Sequence, residues 1–184
     1  MNELLSALGA PEWQWIWSAM QTLALVTGFF FVVRQIKLAQ QQNSISHLNY
    51  FRELWLSEPI LRARQSFLGN SSEVDGNLRP HEDTIAQYFN DIGIAIRTGQ
   101  VDEGHVVRFF GYFIEGFWLS LVDQIKRCRE TTSDPSIYGS FEHLYELVIS
   151  ANAKNGIAPF TQARLTVFVR EEAGLARFYL NIPG

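Results

Sequence analysis

Residues 15–33 read WIWSAMQTLALVTGFFFVV, a run of nineteen residues without one charged side chain. As an α-helix, with a rise of about 1.5 Å per residue, this run is roughly 28 Å long. Its length matches the hydrocarbon core of a bilayer, which is about 30 Å thick. Nine of the nineteen residues are Ile, Leu, Val or Phe, and each favours insertion by roughly 0.3–0.6 kcal/mol. The run therefore predicts a single transmembrane helix.

The residues at the two edges of this run predict membrane-interface anchors. Trp13, Trp15 and Trp17 lie at its front edge, where amphipathic aromatic rings favour the level of the headgroups. Arg34 and Lys37 follow directly behind it. These five residues are the candidate anchors of the span.

The charges on either side of the run predict its orientation. The preceding residues carry two acids and no Lys or Arg, whereas basic residues follow at once. Because positive charge stays on the cytoplasmic side of a membrane, we expect residues 1–14 to form a short outer leader. Residues 34–184 then lie in the cytoplasm. The single cysteine of the chain fits a reducing compartment.

Two other interpretations of the run fit less well. A cleaved signal peptide needs a basic start, a shorter apolar run and small residues at the cleavage site, whereas this run follows acids and ends in bulky FFFVV. A buried core helix is the second alternative. Nineteen uncharged residues with a tryptophan edge are unusual for such a helix.

The smaller and polar residues of the run share one side of the helix. Ser18, Gln21, Thr22, Leu25 and Gly28 follow helical spacing. Small residues let membrane helices approach closely, and a glutamine amide can bond to a neighbouring helix. The pattern predicts self-association of the span into a homo-oligomer through this face. The alternative is a single anchor that tolerates a few Ser, Thr and Gln residues.

The composition after the run predicts one helical domain of ordinary size. About 150 residues remain, which suits one domain with its own core. All 15 Lys and Arg and 17 of the 19 acids lie in this part, so its net charge is near −2. A nucleic-acid partner is not expected, because it requires a concentrated basic surface.

Hydrophobic spacing and helix-boundary residues place the elements of this part. Ser57, Glu58 and Pro59 form a helix-start signal, and Gly99 and Asp102 mark a turn between two helices. Asp134 and Pro135 predict the start of a further helix. The resulting organisation is all-α: a stalk helix over 34–56, then a cytoplasmic helical domain over 57–152, with helices over 57–68, 81–100, 102–129 and 134–151 and a loop over 69–80.

The last part of the chain, residues 153–184, is predicted as a C-terminal extension of ambiguous structure. LTVFV at 165–169 has strand-like residues, whereas TQARLTVFVREEAGLARF has the spacing of a helix. The helix is favoured, and the strand remains the alternative.

No motif in the sequence indicates a specific chemistry. The chain lacks a phosphate-binding glycine loop, a dinucleotide fingerprint and a hydrolase nucleophile elbow. His81 lies beside two acids where a helix begins, and His143 lies one turn from Glu146, but dipole and surface effects account for both. Cys128 lies between two arginines, which favours a thiolate, yet a small residue near a helix end is the plainer interpretation. We expect no catalytic residue, no cofactor and no metal site.

Three stretches resemble an uncharacterised bacterial family of small membrane-anchored helical proteins, a domain of unknown function. They are YFRELWLSEPILRAR (50–64), YFNDIGIAIRTGQVDEGHVVRFFGYFIEGFW (88–118) and DPSIYGSFEHLYE (134–146). The resemblance includes the preceding span and covers roughly residues 15–148. It implies one N-terminal transmembrane helix and a cytoplasmic helical domain at the bacterial inner membrane, but no enzyme activity and no site residues.

The shared phrase also predicts a packing arrangement. The helix over 102–129 has a broad apolar stripe that includes Phe109 and contains Gly111 and Gly116. Glycines inside a helix cost stability. We therefore expect these two to allow close helix approach, including approach between subunits.

These features predict a membrane-anchored, non-enzymatic module that binds a protein partner and self-associates. The alternative is a membrane-perturbing effector, used in phage defence or toxicity, whose transmembrane helices cluster when triggered. A membrane-bound enzyme with an unrecognised site is the third hypothesis.

Overall fold

Six α-helices and no strand occur in the residues that the computed structural model describes, 14–67 and 78–181. The all-α fold predicted from the sequence is confirmed for this part of the chain. The predicted leader and the predicted 69–80 loop lie almost entirely outside it. The helices are α1 (Gln14–Trp55), α2 (Glu58–Ser66), α3 (Pro80–Arg97), α4 (Glu103–Thr132), α5 (Gly139–Lys154) and α6 (Gln162–Leu180).

The chain divides into two compact units, Met1–Asn43 and Ser44–Gly184, and α1 contributes residues to both. In the second unit, the end of α1 buries Leu48, Phe51 and Trp55, as the spacing of the stalk predicts. This spacing, with apolar residues at steps of three and four from Ile45 to Trp55, predicts that Ile45 shares the buried face. That expectation is wrong, because the Ile45 side chain is 52% exposed.

The start of α2 lies where the sequence predicts it, but its cap differs. Ser57 has the extended backbone of an N-cap and Pro59 occupies the first turn. The Ser57 hydroxyl makes no capping hydrogen bond and is buried without a partner among the described residues. The start of this helix therefore depends on proline and on the acidic Glu58, not on the serine side chain.

The turn between α3 and α4 follows the predicted chemistry. Gly99 has a φ of 71°, a left-handed conformation that costs glycine little. The Asp102 carboxylate accepts a hydrogen bond of 3.0 Å from the backbone N–H of His105, which caps α4. The two helices then pack face to face, with Ile85, Phe89, Ile92, Val106, Phe110 and Phe117 in the core.

The start of α5 differs from the prediction, which placed it at Asp134. The Asp134 carboxylate instead accepts hydrogen bonds from the backbone N–H and the hydroxyl of Ser136, at 2.8 and 2.7 Å. Tyr138 then has a φ of 52°, which a continuous helix does not permit. These residues therefore form a turn instead of the helix start that Pro135 predicted, and α5 begins only at Gly139.

The C-terminal residues 162–180 form α6, where the sequence left helix or strand open. This helix completes the core, because Phe168 is fully buried. Its ring lies against Gly116 so closely that a Cβ atom there would approach ring carbons to 2.5 Å. A Cβ at Gly111 would meet Val148 of α5 at 3.6 Å. Both close approaches occur within one chain, so the expected contact between subunits is not needed to explain these glycines.

One aromatic residue assigned to the apolar stripe of α4 is misplaced. Phe109 is 46% exposed, and the Arg52 guanidinium lies 5.1 Å from the centre of its ring. A stripe read only from spacing is wider than the face that the neighbouring helices can cover.

Candidate functional site

The span predicted from the sequence is a helical segment in which every residue but the partly buried Ile16 is exposed. Trp15–Ile36 is 22 residues long and has a mean hydropathy of 1.8, and none of its most apolar stretch is buried. By length and composition it is long and apolar enough to cross a membrane. Burial in a protein core, which was one alternative for this run, does not occur in the described residues.

Three of the five predicted anchors are described with their side chains. Trp15, Trp17 and Arg34 are all exposed. Trp13 lies outside the described residues, and so does the side chain of Lys37. The assignment of these residues to the membrane interface stays a prediction.

The predicted association face is exposed along its length. The Thr22 hydroxyl donates to the Ser18 carbonyl at 2.9 Å, so that its polarity is satisfied within the helix. The Gln21 amide has no hydrogen-bond partner in the described part of the chain, and a Cβ at Gly28 would meet no atom within 4 Å. Leu25 is likewise exposed. All five residues of the face are thus exposed among the described residues, and their role in association stays a prediction.

The second unit contains an apolar groove that the sequence did not reveal. It is a cavity of about 460 Å³ between the end of α1, the first half of α4 and the end of α6. We call it the aromatic groove. Its lining residues are Asn49, Arg52, Glu53, Trp55, Leu56, Arg64, Phe109, Phe110, Phe113, Leu175 and Tyr179.

A buried ion pair lies at the base of the aromatic groove. The Arg64 guanidinium donates from Nη2 and Nε to one carboxylate oxygen of Glu172, at 2.7 and 3.1 Å. The two residues are 2% and 3% exposed. The Arg64 guanidinium also lies 4.2 Å from the centre of the Trp55 ring, a cation–π distance. This arrangement joins α1, α2 and α6 at one point.

The electrostatics of this pair are dominated by loss of water. Burial raises the pKa of the Glu172 carboxyl, and the adjacent Arg64 cation opposes this rise without cancelling it. Removing two ions from water costs several kcal/mol each, so such a pair adds little net stability while loss of one partner is expensive. The pair therefore determines the position of α6 against α1 and α2 more than it contributes to the stability of their packing.

A sequence signal for the pair does exist. Arg64 follows the buried Ile60 by four residues, and Glu172 follows the buried Phe168 by four. Residues four apart share a helix face, so each charge lies on an apolar stripe. A basic residue on the apolar stripe of one helix and an acidic residue on that of another indicate a buried ion pair. The sequence cannot show which two helices pack together.

The titratable residues singled out in the sequence are not brought together. No group of three or more potential metal ligands occurs among the described residues. His143 and Glu146 are both well exposed, with Nδ1 and the carboxylate 3.8 Å apart. Partial burial lowers the pKa of His81, and Glu82 beside it accepts the backbone N–H of Arg79 at the start of α3. Cys128 is partly exposed. These residues therefore lie at helix ends or on the surface and do not form a common site.

Comparison with known proteins identifies the family. A family described as a domain of unknown function, DUF4760, matches residues 18–148. The chain belongs to the DUF4760 family. No curated protein and no solved structure matches it. The DUF4760 match runs from the exposed segment through most of α5. Arg64, which lines the aromatic groove and lies inside the match, therefore pairs with Glu172, which lies beyond it.

Proposed function

We propose that this DUF4760 protein is a single-pass, non-enzymatic interaction module at the cytoplasmic face of the bacterial inner membrane. The observation that carries the proposal is the apolar segment Trp15–Ile36, which the described residues of the chain leave exposed. Contiguous apolar surface of this extent marks contact with lipid or another protein. In the proposed orientation the N-terminus is outside, since the basic residues Arg34 and Lys37 follow the span.

The proposed protein partner docks in the aromatic groove. Leu56, Phe109, Leu175 and Tyr179 form its rim, and all four are roughly half exposed. Aromatic and aliphatic side chains around a concave surface are typical of the centre of protein interfaces. The fitting partner is a helix that inserts apolar side chains between α4 and α6. Self-association through Ser18, Gln21, Thr22, Leu25 and Gly28 accompanies docking in this proposal.

Site-specific photo-crosslinking in intact cells tests the docking site. A photoreactive amino acid replaces Leu175, and a matched control variant carries it at Val167, which is exposed on the same helix but does not line the groove. We expect a discrete adduct only from Leu175, and loss of that adduct when Phe109→Asp is added. Identical adducts from both positions would exclude the groove as the docking site.

Membrane fractionation tests the anchor separately. The full chain should stay with membranes through an alkaline wash, whereas residues 34–184 alone should not. Release of the full chain by that wash would contradict a transmembrane anchor.

The second candidate function is a membrane-perturbing effector. Two features of one helix side favour it: the Gln21 amide, which has no hydrogen-bond partner among the described residues, and the open surface at Gly28 two turns further on. Clustered spans would satisfy such amides with each other. Under induced expression, a potential-sensitive dye should then report depolarisation by the full chain but not by the Gln21→Leu, Gly28→Leu variant. No depolarisation by the full chain would favour the docking module.

A further inference from the structure

A second cavity in the unit Ser44–Gly184 lies where the start of α4, the end of α5 and the start of α6 meet. Its volume is about 550 Å³, which is within the usual range for small-molecule sites. We call it the arginine cavity. Its charged lining residues are Glu103, Arg108, Glu115 and Arg164.

The base of the arginine cavity is held by a buried carboxylate. Glu115 is 2% exposed and accepts the backbone N–H of Phe160 at 2.7 Å and the side-chain amide of Asn152 at 3.0 Å. These bonds join α4 to the end of α5 and to the segment before α6. Because Glu115 is satisfied by these donors, the walls around it are fixed before any ligand enters.

The two arginines of the cavity have no carboxylate partner. In the described residues, neither Arg108 nor Arg164 has an acid within ion-pair distance, although several other basic residues do. The Arg164 guanidinium instead lies 4.3 Å from the centre of the Phe160 ring and 5.8 Å from that of Tyr112. Two positive groups from different helices thus line one cavity, and neither guanidinium makes a hydrogen bond or ion pair within the described part of the chain. Such a pair suits a phosphate.

The remaining lining residues narrow the ligand further. The Glu103 carboxylate repels a phosphate but accepts hydrogen bonds from hydroxyl or amino groups. Tyr112 and Ile157 present partly exposed apolar surface to the same space, which suits a planar ring. We propose that the arginine cavity binds a nucleoside phosphate, with its phosphates on Arg108 and Arg164 and its ring and hydroxyl groups toward Tyr112 and Glu103. This proposal does not depend on the docking function.

Equilibrium dialysis of labelled ATP against the full chain in phosphatidylcholine nanodiscs tests the proposal. Arg108→Ala and Arg164→Ala should each weaken ATP binding about tenfold, as expected for loss of a charge-assisted contact. The matched controls are Arg127→Ala on α4 and Arg170→Ala on α6, which remove the same charge from exposed positions outside the cavity. Unchanged binding in the first pair, or equal losses in all four variants, would overturn the site.

Two further arms separate the cavity from a general affinity for anions. Tripolyphosphate should bind more weakly than ATP, and Glu103→Gln should narrow that difference by removing the repulsion of phosphate. Equal affinity for the two probes in the unaltered chain would overturn the nucleoside assignment.

A lipid headgroup is the other source of phosphate at a membrane. ATP affinity should be the same when phosphatidylglycerol is added to the nanodiscs. If phosphatidylglycerol lowers the ATP affinity several-fold in the unaltered chain but not in Arg108→Ala, the cavity binds lipid and the nucleotide proposal is overturned. Because Arg164 packs on Phe160, Arg164→Lys is included; it keeps the charge and should retain more ATP binding than Arg164→Ala does.

Discussion

Gly116→Ala should destabilise the helical unit, whereas Gly111→Ala on the same helix should not. The added methyl at Gly116 would lie 2.5 Å from the nearest Phe168 ring carbons, while the one at Gly111 would lie 3.6 Å from Val148. Phe168 is fully buried, and its ring centre lies 5.0 Å from that of Phe117. The ring therefore has little room to move away.

The expected magnitudes follow from two opposing contributions. Replacing glycine with alanine inside a helix stabilises by up to about 1 kcal/mol. Overpacking a filled core costs about 1–3 kcal/mol, and the buried ring places Gly116 at the upper end. We expect a net loss of about 1–2 kcal/mol for Gly116→Ala and a gain of up to about 1 kcal/mol for Gly111→Ala.

Denaturant unfolding of the full chain in detergent, followed by near-ultraviolet circular dichroism, measures this difference because the packed aromatic rings produce the signal. A Phe168→Leu background provides the coupling control: with a smaller side chain at that position, Gly116→Ala should lose most of its cost. If Gly116→Ala and Gly111→Ala unfold at the same denaturant concentration, the inferred packing of α6 on α4 is refuted.

Three other changes test the capping and the ion pair in the same unfolding assay. Asp102→Ala should lower the free energy of unfolding by about 1 kcal/mol, because it removes the carboxylate that accepts from the backbone N–H of His105. Ser57→Ala should leave that free energy unchanged or raise it, because it removes a buried hydroxyl that has no partner among the described residues. Equal losses in the two variants would contradict these cap assignments. Glu172→Leu should destabilise by about 3–5 kcal/mol because Arg64 stays buried without its acceptor. A double change to Glu172→Leu with Arg64→Met should recover most of that loss; no recovery would show that the pair is not the cause. Burial raises the folded-state pKa of Glu172, so its titration contributes fully to stability below about pH 4.3, and this contribution falls as pH rises through the folded-state pKa. The free energy of unfolding of the unaltered chain, relative to that of Glu172→Gln, should therefore decline over this pH window. A difference that does not change with pH would contradict the raised pKa.

The boundaries that the sequence predicted well depend on local chemistry. Gly99 and Asp102 mark the α3–α4 turn because a left-handed glycine and a carboxylate cap act within a few residues. Asp134 shows where this reasoning fails: a proline after an acid can begin a helix or a turn, and the hydrogen bonds to Ser136 favour the turn. The outcome depends on a competition between local alternatives of similar energy.

The groove and the arginine cavity were beyond prediction for a different reason. Arg64 and Glu172 are separated by 108 positions, and Arg108 and Arg164 lie on different helices. Periodicity assigns each residue to a face of its own helix but carries no information on which faces meet. Phe109 illustrates the same limit, because its spacing along α4 matches that of the stripe while its side chain is 46% exposed.

Three properties could be predicted from the sequence alone: the helical character of the described residues, one apolar helix near the start of the chain that is long enough to span a membrane, and the ends of most helices. These properties follow from hydropathy, spacing and caps, which act over at most a few turns. The three-dimensional packing was needed to show that α6 fills the core at Gly116, that Arg64 pairs with Glu172, and that two arginines line one cavity. Such contacts depend on the packing of whole helices against each other, in which the size of a single side chain decides how closely two faces approach.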